Sequence, residues 1–132
     1  MQGIFCVDEQ RNLAGSRVLV VEDEMLVSML VEDILADFGC IVVGPAANLD
    51  QATKVAGSEK IDVALLDVNL GGARVFPVAH ILAERGVPFV FVSGYGDQAL
   101  EAPFEDRPVL QKPFSPEAIG DMLLACLKGR SG

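Results

Sequence analysis

Four short apolar runs in this sequence each end in side chains that can do chemistry. Val18–Val21 leads into Glu22, Asp23 and Glu24, and Val63–Leu66 leads into Asp67. Val87–Val92 leads into Ser93, and Val109–Gln111 leads into Lys112. Carboxylates gathered in one pocket repel one another and are costly unless a cation neutralises them, and hard oxygen donors of this kind suit Mg²⁺ or Mn²⁺. If the chain brings these four ends together, they make a divalent-metal site with a hydroxyl and an amine beside it. A lone Asp at a strand end more often caps than reacts, and Glu22 and Asp23 also suit the positive start of a following helix. The set carries the argument, not any single member.

Whether the ends meet depends on the elements that carry them. Arg17–Val21 is a continuous apolar run of the kind buried on both faces of a parallel sheet. From Met25 to Phe38 the apolar positions Val27, Leu30, Val31, Ile34 and Phe38 recur at helical spacing, opposite Glu32, Asp33 and Asp37, and Gly39 stops the helix. The alternation then repeats. Ile41–Gly44 predicts a strand, and Asn48 with Gln51 a capped start to a helix over Leu49–Ala56. Val63–Leu66 predicts a strand ending at Asp67, and Pro77 opens a helix to Arg85 that Gly86 stops. Val87–Val92 and Val109–Gln111 predict the last two strands. Ser115 as N-cap, Pro116 and Glu117 start a final helix with Ile119, Met122, Leu123 and Cys126 along one face, ending near Gly129.

The exception lies between Ser93 and Val109, where Gly94, Gly96, Pro103 and Pro108 leave at most a short helix around Gln98–Ala102. Five strands alternating with helices predict a doubly wound five-stranded parallel α/β sheet, flavodoxin-like, with a short or irregular fourth helix. Such sheets bind ligands beyond the carboxyl ends of their strands, which is where the acids, Ser93 and Lys112 fall. Residues 1–15 are an N-terminal extension, 16–128 the domain and 129–132 a tail.

Composition sets outer limits. The 132 residues are 51% hydrophobic, enough for one packed core. No apolar run approaches the ~20 residues needed to span a bilayer, and the charged first 16 residues do not form a secretory signal. The expectation is a cytoplasmic protein. Cys6, Cys40 and Cys126 are odd in number and widely spaced, which argues for reduced, mostly buried small hydrophobes rather than disulfides or a zinc site. A net charge of −9 opposes nucleic acid and anionic membranes as partners. His80, on a helix of mixed polarity, is expected to be an exposed bystander. Gly71-Gly72 lacks the Lys-Ser/Thr of a phosphate-binding loop and predicts a flexible connection.

Val20-Val21-Glu22-Asp23-Glu24, Leu65-Leu66-Asp67-Val68-Asn69, Ser93-Gly94 and Lys112-Pro113-Phe114 resemble the signature positions of response-regulator receiver domains of bacterial two-component systems. The resemblance covers about residues 16–128. It implies that Asp67 is the phosphoacceptor and that Asp23, Asp67 and the backbone carbonyl of Asn69 hold the metal, with Glu22 acting mainly through water. It also implies that Lys112 and Ser93 bind phosphoryl oxygens and that the Lys112–Pro113 peptide is cis. Phe91-Val92-Ser93-Gly94-Tyr95 resembles the motif of an atypical subgroup, called FAT GUY, whose members usually lack the aromatic switch of the last strand. Here that position is Val109, so Tyr95, Val109 and Pro113 are the residues through which the signal would be read.

The implied function is Mg²⁺-dependent phosphoryl transfer from a histidine kinase or histidine phosphotransfer protein to Asp67. Readout would be by contact with a downstream protein, homodimerisation remains open, and the only catalysis is of the domain's own phosphorylation and dephosphorylation. Met1 and the short tail favour a stand-alone receiver over a domain cut from a longer chain. Three other readings compete. A haloacid-dehalogenase-like phosphatase needs a second acid where Asn69 stands. A flavodoxin-like FMN carrier needs Ser, Thr and Gly where Glu22 and Asp23 stand. A phosphorylation-independent interaction module would not need the chemical positions, all of which are present.

Overall fold

In the computed structural model, which describes residues 13–94, 100 and 102–131, five strands form one parallel sheet. They are β1 (Arg17–Val21), β2 (Ile41–Ala46), β3 (Val63–Asp67), β6 (Phe89–Ser93) and β7 (Val109–Gln111), in the order β2-β1-β3-β6-β7. Between β3 and β6 lies a small antiparallel hairpin, β4 (Asn69–Leu70) and β5 (Ala73–Arg74). Four helices complete the described fold: α1 (Met25–Asp37), α2 (Leu49–Ser58), α3 (Phe76–Glu84) and α4 (Pro116–Ser131).

The continuous apolar runs follow from burial on both sheet faces. Side chains alternate across a strand, so Leu19, Val21, Ala64, Leu66, Phe89 and Phe91 join one core, under α2 and α3. Val18, Val20, Val63, Leu65, Val90 and Val92 join the other with residues of α1 and α4. β3, at the centre, is buried at all five positions.

Two helix starts are capped as their sequences demand. Asn48 accepts the Gln51 N–H at 2.9 Å while Gln51 accepts from Ala47 N–H at 2.9 Å, a reciprocal cap on α2. The Ser115 hydroxyl accepts from Ala118 N–H at 3.1 Å at the start of α4. Strand β6 begins at Phe89 rather than Val87, because the Val87 N–H still serves Leu82 O at the end of α3 and Pro88 has no N–H to give. β2 runs on through Pro45 to Ala46, and α4 passes Gly129 to Ser131.

Four expectations need correcting. Leu30 does not face the core: it and Met29 are half exposed and Met25 and Leu26 largely exposed, so the described residues leave this apolar side of the first turns of α1 uncovered. Gly71-Gly72, expected as a flexible connection, forms the turn of the β4–β5 hairpin. Cys40 and Cys126 are free and half-buried rather than buried, and burial still pushes the Cys40 thiol up to about 11. Leu13, assigned to the extension, is buried in the core beside Leu35 and Leu123. His80 is exposed as expected, with its ring edge-on to Phe104 at 4.9 Å.

No helix occurs between Ser93 and Val109 among the described residues. The expected short helix around Gln98–Ala102 lies mostly outside them. In its place Phe104, 2% exposed, inserts among Phe76, Phe89 and Phe91 at ring separations of 5.6–6.2 Å. Arg107 stacks over Phe89 at 4.5 Å. Among the described residues no helix is long and apolar enough to cross a membrane.

Candidate phosphoryl-transfer site

Strand register assembles the site. Val21 pairs with Leu66, so Glu22 and Asp67 leave the sheet side by side. Asp67 pairs with Val92, and Ser93 pairs with Gln111, which brings Ser93 and Lys112 to the same rim. The backbone closes the edge: Glu22 N–H donates to Ala46 O at 3.0 Å, Val68 N–H to Val92 O at 3.0 Å and Lys112 N–H to Ser93 O at 2.9 Å.

Lys112 is the hub. Its ammonium lies 3.1 Å from Glu22 Oε1, 3.3 Å from Asp67 Oδ2 and 3.4 Å from Glu24 Oε1. The Glu24 contact adds a carboxylate at the entry to α1 to the two at the strand ends. Asp67 is 4% exposed, and its Oδ1 accepts the Asn69 N–H at 3.2 Å. Glu22 is 5% exposed, and its Oε2 accepts the Glu24 N–H at 3.2 Å at the entry to α1. Asp23 is exposed and faces the same cavity.

Electrostatics follow from this packing. Burial, a hydrogen bond to Asp67 and the Asp67 charge together raise the Glu22 carboxyl to about 7. Burial also raises Asp67, against the lowering effects of its bonds with Glu22, Lys112 and Asn69. Burial alone would lower Lys112, yet the facing Asp67 and Glu22 outweigh it and push the ammonium up to about 12. One cation thus offsets two buried acids incompletely.

A second positive charge has a place to bind. One carboxylate oxygen each from Glu22, Asp23 and Asp67 lie within 4.8 Å of one another. An octahedral Mg²⁺ with ~2.0–2.1 Å bonds spans about 4 Å between opposite ligands, so small side-chain shifts bring these donors into range. The donor chemistry and the uncompensated charge both fit a hard divalent cation. Asn69 lies beside them, its backbone shared between β4 and the cavity wall.

The cavity, about 340 Å³, is lined by Asp23, Glu24, Asp67, Asn69, Gly71, Gly72, Gly94 and Lys112. Ser93 is not among these residues. Its hydroxyl donates to Gly94 O at 3.3 Å. Tyr95 lies outside the described residues. Val109, 41% exposed, sits on the edge strand opposite Phe91. Pro113, after a cis Lys112–Pro113 peptide, borders a second, mainly apolar cavity of about 470 Å³ with Val27, Leu30 and Phe114.

Residues 18–124 match the model of the response regulator receiver domain. The chain belongs to this family. Among curated relatives, the phyllosphere-induced regulator PhyR of Methylorubrum extorquens is 31% identical across 92% of this chain. That alignment takes in 48% of PhyR, so the chain spans about half the length of this relative. The solution structure of SdrG from Sphingomonas melonis Fr1 is 42% identical, with a TM-score of 0.77 over 86% of this chain and 97% of SdrG. The BeF3-activated conformation of SdrG from Pseudomonas melonis Fr1 gives 0.72 over 86% of this chain and 98% of that one. This receiver domain is therefore of the two-component regulator type, with the flavodoxin-like α/β sheet of its relatives.

Proposed function

We propose that this receiver domain accepts a phosphoryl group on Asp67 from a histidine kinase or histidine phosphotransfer protein. The observation that carries the proposal is the pairing of Asp67 with Lys112, at 3.3 Å, in a cavity that also holds Glu22 and Asp23. The unit that does this is residues 16–128, with Leu13 of the preceding segment packed into its core.

In this mechanism a carboxylate oxygen of Asp67 attacks the phosphorus of a phosphohistidine, giving an acyl phosphate as imidazole leaves. The Asn69 N–H and Lys112 hold the two Asp67 oxygens, so the nucleophile is oriented before the donor arrives. Lys112 then pairs with a phosphoryl oxygen, and the Ser93 hydroxyl turns from Gly94 O to another. Asp23, Asp67 and the Asn69 carbonyl would hold Mg²⁺ or Mn²⁺, with Glu22 acting mainly through water. Bound there, the cation offsets the charge of the transferring phosphoryl group.

A protein donor has to cover the rim. Its α1 side presents Met25, Leu26, Met29 and Leu30, an apolar surface suited to such a partner. Readout is assigned to Tyr95, Val109 and Pro113 after the FAT GUY resemblance, toward a downstream protein. SdrG, the 42% identical relative, has a BeF3-activated conformation, which supports a phosphoryl-driven switch in this chain. The domain carries out no reaction beyond its own phosphorylation and dephosphorylation, in the cytoplasm.

The test is incubation with phosphoramidate and Mg²⁺, then intact-mass measurement of wild type and Asp67→Asn. Wild type should gain one phosphoryl group and Asp67→Asn none. Failure of wild type, with a cognate kinase also supplied, would leave a phosphorylation-independent module.

A further inference from the structure

The turn between β4 and β5 forms one wall of the Asp67 cavity, and that wall carries no side chain. Gly71 and Gly72 both line it, with φ of +59° and +90°. Positive φ at both central residues is what a type I′ hairpin turn requires. The turn is held in place: Gly72 N–H donates to Asn69 Oδ1 at 3.1 Å, Asn69 pairs with Arg74, and Leu70 beside it is buried. A side chain added here would therefore stay where the turn puts it.

The two glycines point differently. A Cβ at Gly71 would stand 3.6 Å from Oδ2 of Asp23, on the cavity side, whereas one at Gly72 would meet nothing within 4 Å. Elsewhere in the cavity wall, Glu24 and Lys112 are tied together at 3.4 Å. Both glycines line the cavity, and a side chain at Gly71 would enter it beside Asp23. At about 340 Å³ the cavity is near the small end of ligand pockets, ~300–1,000 Å³, so one added side chain matters.

We propose that Gly71 is a specificity-determining residue for phosphoryl donors, an inference that rests on the phosphoacceptor reading above. Its missing side chain admits the planar ring of an imidazole-borne phosphoryl group, and a side chain there restricts the site to donors with small leaving groups. In the transfer an O–P bond forms to Asp67 while the donor's N–P bond breaks. Imidazole leaves with the bonding electron pair and takes one proton from solvent.

Two donors with the same bond type isolate the effect: N-phosphoimidazole, which carries the ring, and phosphoramidate, which does not. Second-order rate constants for the full chain with Mg²⁺ are measured by intact mass for wild type, Gly71→Asn and Gly72→Asn. Asn tolerates the left-handed backbone better than other side chains. Gly71→Asn should lose about tenfold or more with N-phosphoimidazole and stay within about twofold with phosphoramidate, a steric discrimination of the size one small group produces. Gly72→Asn should keep the wild-type ratio. Because both donors need the same metal site, a disturbance of Asp23 would slow them equally, and equal loss overturns the proposal. So does an unchanged ratio in Gly71→Asn, or an equal change of ratio in Gly72→Asn. Should Gly71→Asn lose its cooperative melt, Gly71→Ala carries the test with the same thresholds. If wild type accepts from neither donor, the phosphoacceptor reading itself falls.

Discussion

Glu22 and Asp67 share one ammonium, and burial together with the neighbouring Asp67 raises the Glu22 carboxyl. That carboxyl is raised to about 7 from an ordinary 4.5, so protons and a metal bound as proposed would compete there. Metal binding must then release a proton, and the apparent Mg²⁺ affinity should tighten as pH rises toward about 7 and level off above it. A Mg²⁺ titration from acid to alkaline pH checks this, and Glu22→Gln should flatten the slope. The same group has a defined effect on stability. Its folded value exceeds its unfolded one, so its favourable contribution is complete below about 4.5 and is lost as pH rises through about 7. The metal-free domain should therefore melt lower at pH 8 than at pH 6 on account of Glu22, and Glu22→Gln should reduce the difference. Lys112 adds no slope at these pH values, because its raised value keeps its contribution intact until far more alkaline conditions. Asp67, Asp23 and Lys112 were legible in the sequence because each follows an apolar run whose end had to lie at the sheet rim. The Lys112–Glu24 pair was not, since it depends on how far β7 carries the ammonium across to the entry of α1. Nor was the Ser93 hydroxyl direction, which is a matter of one rotating bond.

The elements show a similar division. Long strands announce themselves through four-residue apolar runs, and α2 and α4 through their caps, but a hairpin of two-residue strands leaves no periodicity to find. That hairpin was missed although Gly71 and Gly72 mark its turn. The apolar spacing of α1 was legible, yet spacing does not tell where the sheet stops covering the helix, and Leu30 was misassigned for that reason. Leu26, 82% exposed, offers a test of the α1 surface. Leu26→Asp should leave the phosphoramidate rate unchanged while slowing transfer from a cognate kinase, and equal rates with both donors would remove this surface from the donor interface. The segment before β7 lacks a helix among its described residues and relies on Phe104 to fill the space. Phe104→Ala should cost about 3–5 kcal/mol, the usual range for emptying a buried aromatic site, measured by denaturant unfolding.

At the scale of the whole molecule, one sheet separates two apolar layers, and the charged groups gather where both layers end. A cation bound at that rim would stabilise the entire fold, by about 2.7 kcal/mol at 100 times its dissociation constant. A thermal melt with and without Mg²⁺ should show this, and Asp67→Asn should lessen it. The position of β3 has a further effect on motion. It is the central strand and is buried at every residue, and the nucleophile is its last one. Its amide hydrogens have no exchange route short of opening both layers together, so Ala64–Leu66 should be among the slowest to take up deuterium. Residues 102–108, tethered chiefly by Phe104 and Arg107, should exchange far sooner. On the proposed phosphoacceptor reading, phosphorylation would strike the stillest point of the protein, and the signal it starts would be a rearrangement of the faster-moving surroundings about a fixed Asp67.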